Sequence, residues 1–193
     1  MDPIDFWIWL ANYKTTLEAF LHSDFSDHTP YQQLCMEMEA YSPYLIPELT
    51  LTEKGEYLLI ISCDGQRSGI PDAIALYEAF PVIQGWTAQL YRQGQGFFRA
   101  RIEGVEFTEE ELLLRCKAVP ESDQYDVVLY VHGLEPSDKR YERAALIYLD
   151  HSVGEYEVMT KIRSLSLTIL EPWKPQKGLI TLRQFASLLQ VEN

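Results

Sequence analysis

Lysine and arginine are scarce in this 193-residue chain. Sixteen stand against 29 acidic residues, a formal net charge of −13, and none occurs between Thr15 and Glu53. A protein that holds nucleic acid must neutralise phosphates with clustered cations, so this balance argues against nucleic-acid binding. A basic protein is the partner such charge would attract. Cysteine is scarce too. Cys35, Cys63 and Cys116 are odd in number and far apart, which excludes a disulfide framework and a CxxC metal knuckle. Each lies among apolar residues, where buried reduced thiols are the expectation. No apolar run approaches 18 residues and no basic-then-apolar leader opens the chain, so the protein is expected away from membranes, in the cytoplasm. The chain also lacks GxxxxGK[ST], HExxH and GxSxG, and neither Gly94-x-Gly96 nor Gly65…Gly69 forms a phosphate-binding loop behind a strand. No cofactor and no metal site are expected.

What is present is enough for a sizeable core. Hydrophobic residues make up 47% of the chain and charged residues 23%, so burial can stabilise the fold without disulfide or metal staples. The length and composition predict one domain over residues 1–193, with residues 1–42 forming a helical pair that packs on a sheet.

The first helix is predicted over residues 3–22, with Asp2 as its cap and Pro3 at the first helical position. Phe6, Trp9, Leu10, Tyr13, Leu17, Phe20 and Leu21 form its apolar stripe, and Trp7 falls off it, at a partly covered surface. A second helix is predicted over residues 30–41, opened by a Thr29-x-x-Gln32 capping box. Residues 45–52 and 56–63 flank the turn Glu53-Lys54-Gly55 as a hairpin whose second strand, apolar throughout, reads as central. A short helix over residues 71–80 follows, with Ile70, Ile74, Tyr77 and Phe80 inward. Strands are predicted over residues 86–92, over 97–107 with a bend at Gly104, and, after one turn begun at Thr108, over 112–119.

The chain's centre of organisation is residues 126–170: a strand over 125–132, a helix over 138–152 capped by Ser137, a glycine stop at Gly154, then strands over 156–162 and 165–170. A last helix opens at the Thr181-x-x-Gln184 box, with Leu182, Phe185, Leu188 and Leu189 inward. Strands in series with short turns predict an α+β fold, a largely antiparallel β-sheet with amphipathic helices packed on one face.

Two groups of residues are candidates for function. The acids of the base-free stretch, Glu18, Asp24, Asp27, Glu37 and Glu39, form a candidate surface for a basic protein partner. His132, Asp150, His151 and Glu155 are the densest polar group near apolar sequence and are candidates for acid–base catalysis in a small hydrolase. Arg92, Arg99 and Arg101, and separately Lys161, Arg163, Lys174, Lys177 and Arg183, gather with Phe97, Phe98 and Trp173 near them in sequence. They offer either a basic–aromatic patch for an anion or solvated ion-pair partners.

The segments Phe6-Trp7-Ile8-Trp9, Ala79-Phe80-Pro81…Gly85-Trp86 and Leu149-Asp150…Val153-Gly154-Glu155-Tyr156 resemble stretches of uncharacterised bacterial proteins of similar length. The resemblance is scattered over most of the chain and implies no activity. The reading that follows is an acidic interaction or regulatory protein, with the small hydrolase as its alternative.

Overall fold

Asp2 starts the fold as an N-cap. Its side chain accepts from the Ile4 N–H at 2.9 Å, Asp5 answers the Asp2 N–H, and Pro3 takes the first helical position. The structure is a computed structural model that describes residues 1–96, 99–102, 104–108, 111–135, 137–171 and 173–190. The internal contacts of the chain gather into two compact units, Met1–Arg92 and Gln93–Asn193, beside the single domain that length and composition predict. Among the described residues, six helices and nine strands form an α+β fold with three largely antiparallel sheets.

In the first unit, α1 (Pro3–Leu21) buries Phe6, Trp7, Leu10, Leu17 and Phe20. Trp7 thus corrects the surface placement expected for it. It is 1% exposed, its indole N–H donates to the Leu76 carbonyl at 2.8 Å, and its ring meets Phe80 edge-on at 4.8 Å. The buried stripe of α1 is wider than the one the strongest periodicity marks. α2 (Thr29–Tyr41) buries Leu34 and Met38. The expected Thr29 box is not made: Thr29 already lies inside the helix and donates its own N–H to Asp27 Oδ1 at 2.9 Å, leaving His28 at the cap without a side-chain bond.

β1 (Ile46–Leu51) and β2 (Tyr57–Ser62) pair antiparallel from Ile46↔Ser62 to Leu51↔Tyr57. α3 (Ile70–Glu78) then carries the chain across, so β3 (Trp86–Leu90) joins β2 in parallel and β2 is central, as its unbroken apolar run predicts. α3 is rotated from the expected phase: Ala73 and Leu76 are buried, whereas Ile74 and Tyr77 face outward. A nine-residue helix with apolar residues on two sides has no single stripe from which to choose, so periodicity alone does not fix its phase.

In the second unit, β4 (Ala100–Ile102) pairs antiparallel with β5 (Val105–Phe107), in place of one bent strand. Gly104 has φ +84°, where the chain reverses rather than bends. β6 (Leu112–Ala118) and β7 (Tyr125–His132) pair antiparallel, and α4 (Lys139–Val153) is capped by Asp138 rather than the expected Ser137. Gly154 ends α4 as predicted, but the expected strand over 156–162 is a helix, α5 (Glu155–Lys161). Glu155 and Glu157 in its first turn and Lys161 in its last complement the helix dipole, which outweighs the strand preference of single residues. β8 (Ile162–Leu170) lies parallel to β7, and β9 (Ile180–Thr181) completes the order β8-β7-β6-β9.

α6 (Leu182–Gln190) opens with the predicted reciprocal box, Thr181 N–H to Gln184 Oε1 and Gln184 N–H to Thr181 Oγ1. Leu182, Phe185 and Leu189 turn inward, but Leu188 does not. These residues and Ala144, Ala145, Tyr148 and Leu149 of α4 pack with Leu112, Leu114, Val127, Leu129 and Val131 into one core. No helix among the described residues is long and apolar enough to cross a membrane.

Candidate interaction site

The base-free stretch occupies the end of α1, the loop of residues 22–28, α2 and, beyond it, β1. The first unit holds 13 acidic and 4 basic residues, so it carries −9 of the net −13. The five predicted acids differ in role. Glu18 is half-buried and accepts from the Trp86 indole N–H at 2.8 Å, so it has a structural part as well as a charge. Glu37 accepts from the Gln33 amide at 3.1 Å, one helical turn away. Asp24, Asp27 and Glu39 are exposed. Among the described residues, none of the five forms an ion pair with lysine or arginine.

The loop holds its acids in place through short-range bonds. Asp24 Oδ1 accepts from the Ser26 N–H at 3.0 Å, and Asp27 Oδ1 accepts from the Thr29 N–H at 2.9 Å. The Ser26 donors, hydroxyl before amide, hold the Asp24 carboxyl below the usual aspartate range, and the Thr29 donors do the same for Asp27. Both therefore carry full charge at neutral pH. Ser23 Oγ donates to the Phe20 carbonyl at 2.7 Å and accepts from the Phe25 N–H at 3.1 Å.

Phe25 lies between the two aspartates in the chain, at φ 58°, and is 45% exposed. Its ring meets Phe20 edge-on at 5.1 Å, and Phe20 lies nearly parallel to Tyr31 at 6.2 Å. With Leu21, Glu48 and Leu49 these rings line a cleft of about 340 Å³. The Tyr31 hydroxyl donates to the Pro47 carbonyl at 2.8 Å, and burial pushes its phenol far above its ordinary range, so it stays a neutral donor. Glu48 is bound by Arg92, whose Nη2 also reaches Asp64 Oδ1 at 3.0 Å. The cleft thus has an apolar floor, a neutralised Glu48 and a loop bearing two unneutralised aspartates.

The catalytic candidates are divided between two places. His132 ends β7 opposite Leu170, half-exposed, with Nδ1 3.9 Å from Glu111 Oε1. The 15 residues of α4, about 22 Å of helix, then lead back toward the start of β7, because β8 must begin there to run parallel. Asp150, His151 and Glu155 are gathered at that far end, around the α4–α5 junction. There the Gly154 N–H donates to the Asp150 carbonyl at 2.8 Å and the Gln95 N–H to the His151 carbonyl at 2.8 Å. Glu155 is 0% exposed, and Asp150 and His151 are half-buried. Among the described residues, no three His, Cys, Asp or Glu side chains are placed to hold a metal ion.

Several basic residues are occupied locally. Arg99 pairs with Glu106, Lys161 with Asp123 at 2.6 Å, Arg163 with Asp126 and Lys174 with Glu171. These are ion-pair partners supplied by neighbouring strands and turns. Phe97 and Phe98, named for a basic–aromatic patch, lie outside the described residues.

The apolar cleft is the part that sequence reasoning missed. Its signal is Phe25, a lone aromatic in the polar run Ser23-Asp24-Phe25-Ser26-Asp27. Leu21, Tyr31 and Leu49 carry none, because each also fits the apolar pattern of its own helix or strand. Comparisons with family models, with curated proteins and with solved structures found no match.

Proposed function

We propose that this chain is an interaction protein that binds a basic protein partner through the acidic surface of residues 15–53. One observation carries the reading: among the described residues, Glu18, Asp24, Asp27, Glu37 and Glu39 form no ion pair with lysine or arginine, in a unit of net charge −9. Such a field speeds encounter with a cationic surface and repels nucleic acid and acidic lipid. The proposed setting is the cytoplasm. Three unbridged cysteines suit a reducing compartment, and burial pushes the thiols of Cys35 and Cys116 up, toward the unreactive protonated form. The hydrolase alternative has less support, because His132 stands at the opposite end of β7 from the other three candidates.

The test is a quantitative co-precipitation from lysate with the wild-type chain and the variant E18Q/D24N/D27N/E37Q/E39Q. These changes keep the acceptor oxygens that bind Trp86, Ser26 and Thr29. The expected result is a stoichiometric basic protein on the wild type, reduced as salt rises and lost on the variant. Equal recovery on both chains would refute the reading.

A further inference from the structure

The cleft beside the acidic loop is a feature that charge attraction alone does not require. We propose that it is the docking site for a short basic segment of the partner protein, which seats one large apolar side chain among Phe20, Phe25, Tyr31 and Leu49 while its lysine or arginine side chains meet Asp24 and Asp27. The inference rests on the acidic-surface reading above and specifies the chemistry of the partner.

Three observations converge. The cleft, about 340 Å³ and lined by three aromatic rings and two leucines, has the scale and lining of a site for one apolar group. Phe25 is exposed in an otherwise polar loop, yet it is held by a backbone bond to Ser23 Oγ and by the Phe20 ring, so its place does not have to be ordered on binding. Asp24 and Asp27 bracket Phe25 in the chain and, among the described residues, form no ion pair with lysine or arginine, whereas the acid inside the cleft, Glu48, is already neutralised by Arg92. Charge complementarity therefore selects a segment with cations flanking an apolar residue. An acidic segment would be repelled by the loop, and a purely basic one would leave the cleft unfilled.

The experiment uses the full chain and three fluorescein-labelled 12-residue peptides read by fluorescence anisotropy: one of lysine and leucine, one with serine for each leucine, and one with glutamate for each lysine. The lysine–leucine peptide is expected to bind about tenfold or more tightly than the lysine–serine peptide, the effect of burying one large apolar side chain. The glutamate peptide is expected not to bind. Phe25→Ser should abolish the advantage of leucine, and D24N/D27N should weaken both lysine peptides and flatten their salt dependence. An independent readout on the unaltered chain is backbone amide NMR, where shifts caused by the lysine–leucine peptide should centre on residues 20–31 and 48–49. If both lysine peptides bind equally and both need Asp24 and Asp27, the cleft assignment is wrong and the acidic surface stands. If neither lysine peptide binds, both fall. Shifts centred elsewhere would also overturn the cleft assignment.

Discussion

Two residues in this fold have environments that tolerate little change. Trp7 is buried and its only polar atom has a buried acceptor, the Leu76 carbonyl. Trp7→Phe keeps an aromatic ring but leaves that carbonyl without its donor, a loss of about 1–3 kcal/mol. Trp7→Ala adds a cavity, for a total of about 3–5 kcal/mol. Urea unfolding of the two variants checks the order, and equal midpoints for Phe and Ala would show that the hydrogen bond and the ring volume do not contribute separately. Gly94 is constrained by contact rather than by its own backbone angle. A Cβ there would lie 2.6 Å from the Val153 carbonyl oxygen, an atom of main chain that cannot swing aside. Gly94→Ala should cost about 1–3 kcal/mol as an overpacked contact. It should also speed hydrogen exchange at the Gln95 amide, which binds the His151 carbonyl at the end of α4. Unchanged exchange at Gln95 would show that the segment does not depend on close approach at Gly94.

The elements that were legible in the sequence are those with a local cause. α1 is announced by Asp2-Pro3, α6 by the Thr181–Gln184 box, and the β1–β2 hairpin by Glu53-Lys54-Gly55 between apolar runs; α1 and the two strands form with their ends within a residue of the expected ones, and α6 opens at its box. Thr181→Ala should cost about 0.5–2 kcal/mol and loosen α6, which amide exchange at Gln184 would detect. Where the cause is distant, the sequence was silent. The parallel pairing of β3 with β2 and of β8 with β7 depends on where α3 and the α4–α5 arm return the chain, and no residue in either strand encodes that path. The Ser137 cap fails because Asp138, one residue on, offers its carboxylate to the Arg140 N–H, and the Thr29 cap fails because the helix starts at Thr29 itself, with the Gln32 N–H given to the His28 carbonyl and the Thr29 N–H to Asp27. The acidic half of the candidate site was visible as a missing charge. Its apolar half was hidden, because a cleft arises only when α1, the loop and β1 are brought together.

At the scale of the whole molecule, two effects of charge oppose each other as pH falls. Protonation relieves the self-repulsion of a chain at −13, most of it in residues 1–92. It also destroys specific pairs. Asp126 is held below the ordinary aspartate range by Arg163 first and then by Ser164, and Asp123 by Lys161. Asp138 is held down by Arg140, and Glu106 by Arg99. A carboxyl whose folded pKa is depressed contributes stability that is fully present above its unfolded pKa, near 4, and is lost as pH falls through the lower folded value. Asp123 and Glu106 are exposed and Asp126 and Asp138 half-buried, all in pairs open to solvent, so each contributes little and only their sum is measurable. All four pairs lie in the second unit, whereas the unrelieved repulsion is mainly in the first. Melting at constant ionic strength should therefore change little between pH 7 and about pH 4.5 and fall below about pH 4, the range in which unpaired carboxyls titrate in the unfolded chain. The variant D123N/D126N should lower the melting temperature at pH 7 and reduce its decline in acid. If melting instead rises steadily from pH 7 to pH 3, relief of repulsion outweighs the four pairs, and the acidic surface of the first unit sets the stability of the molecule.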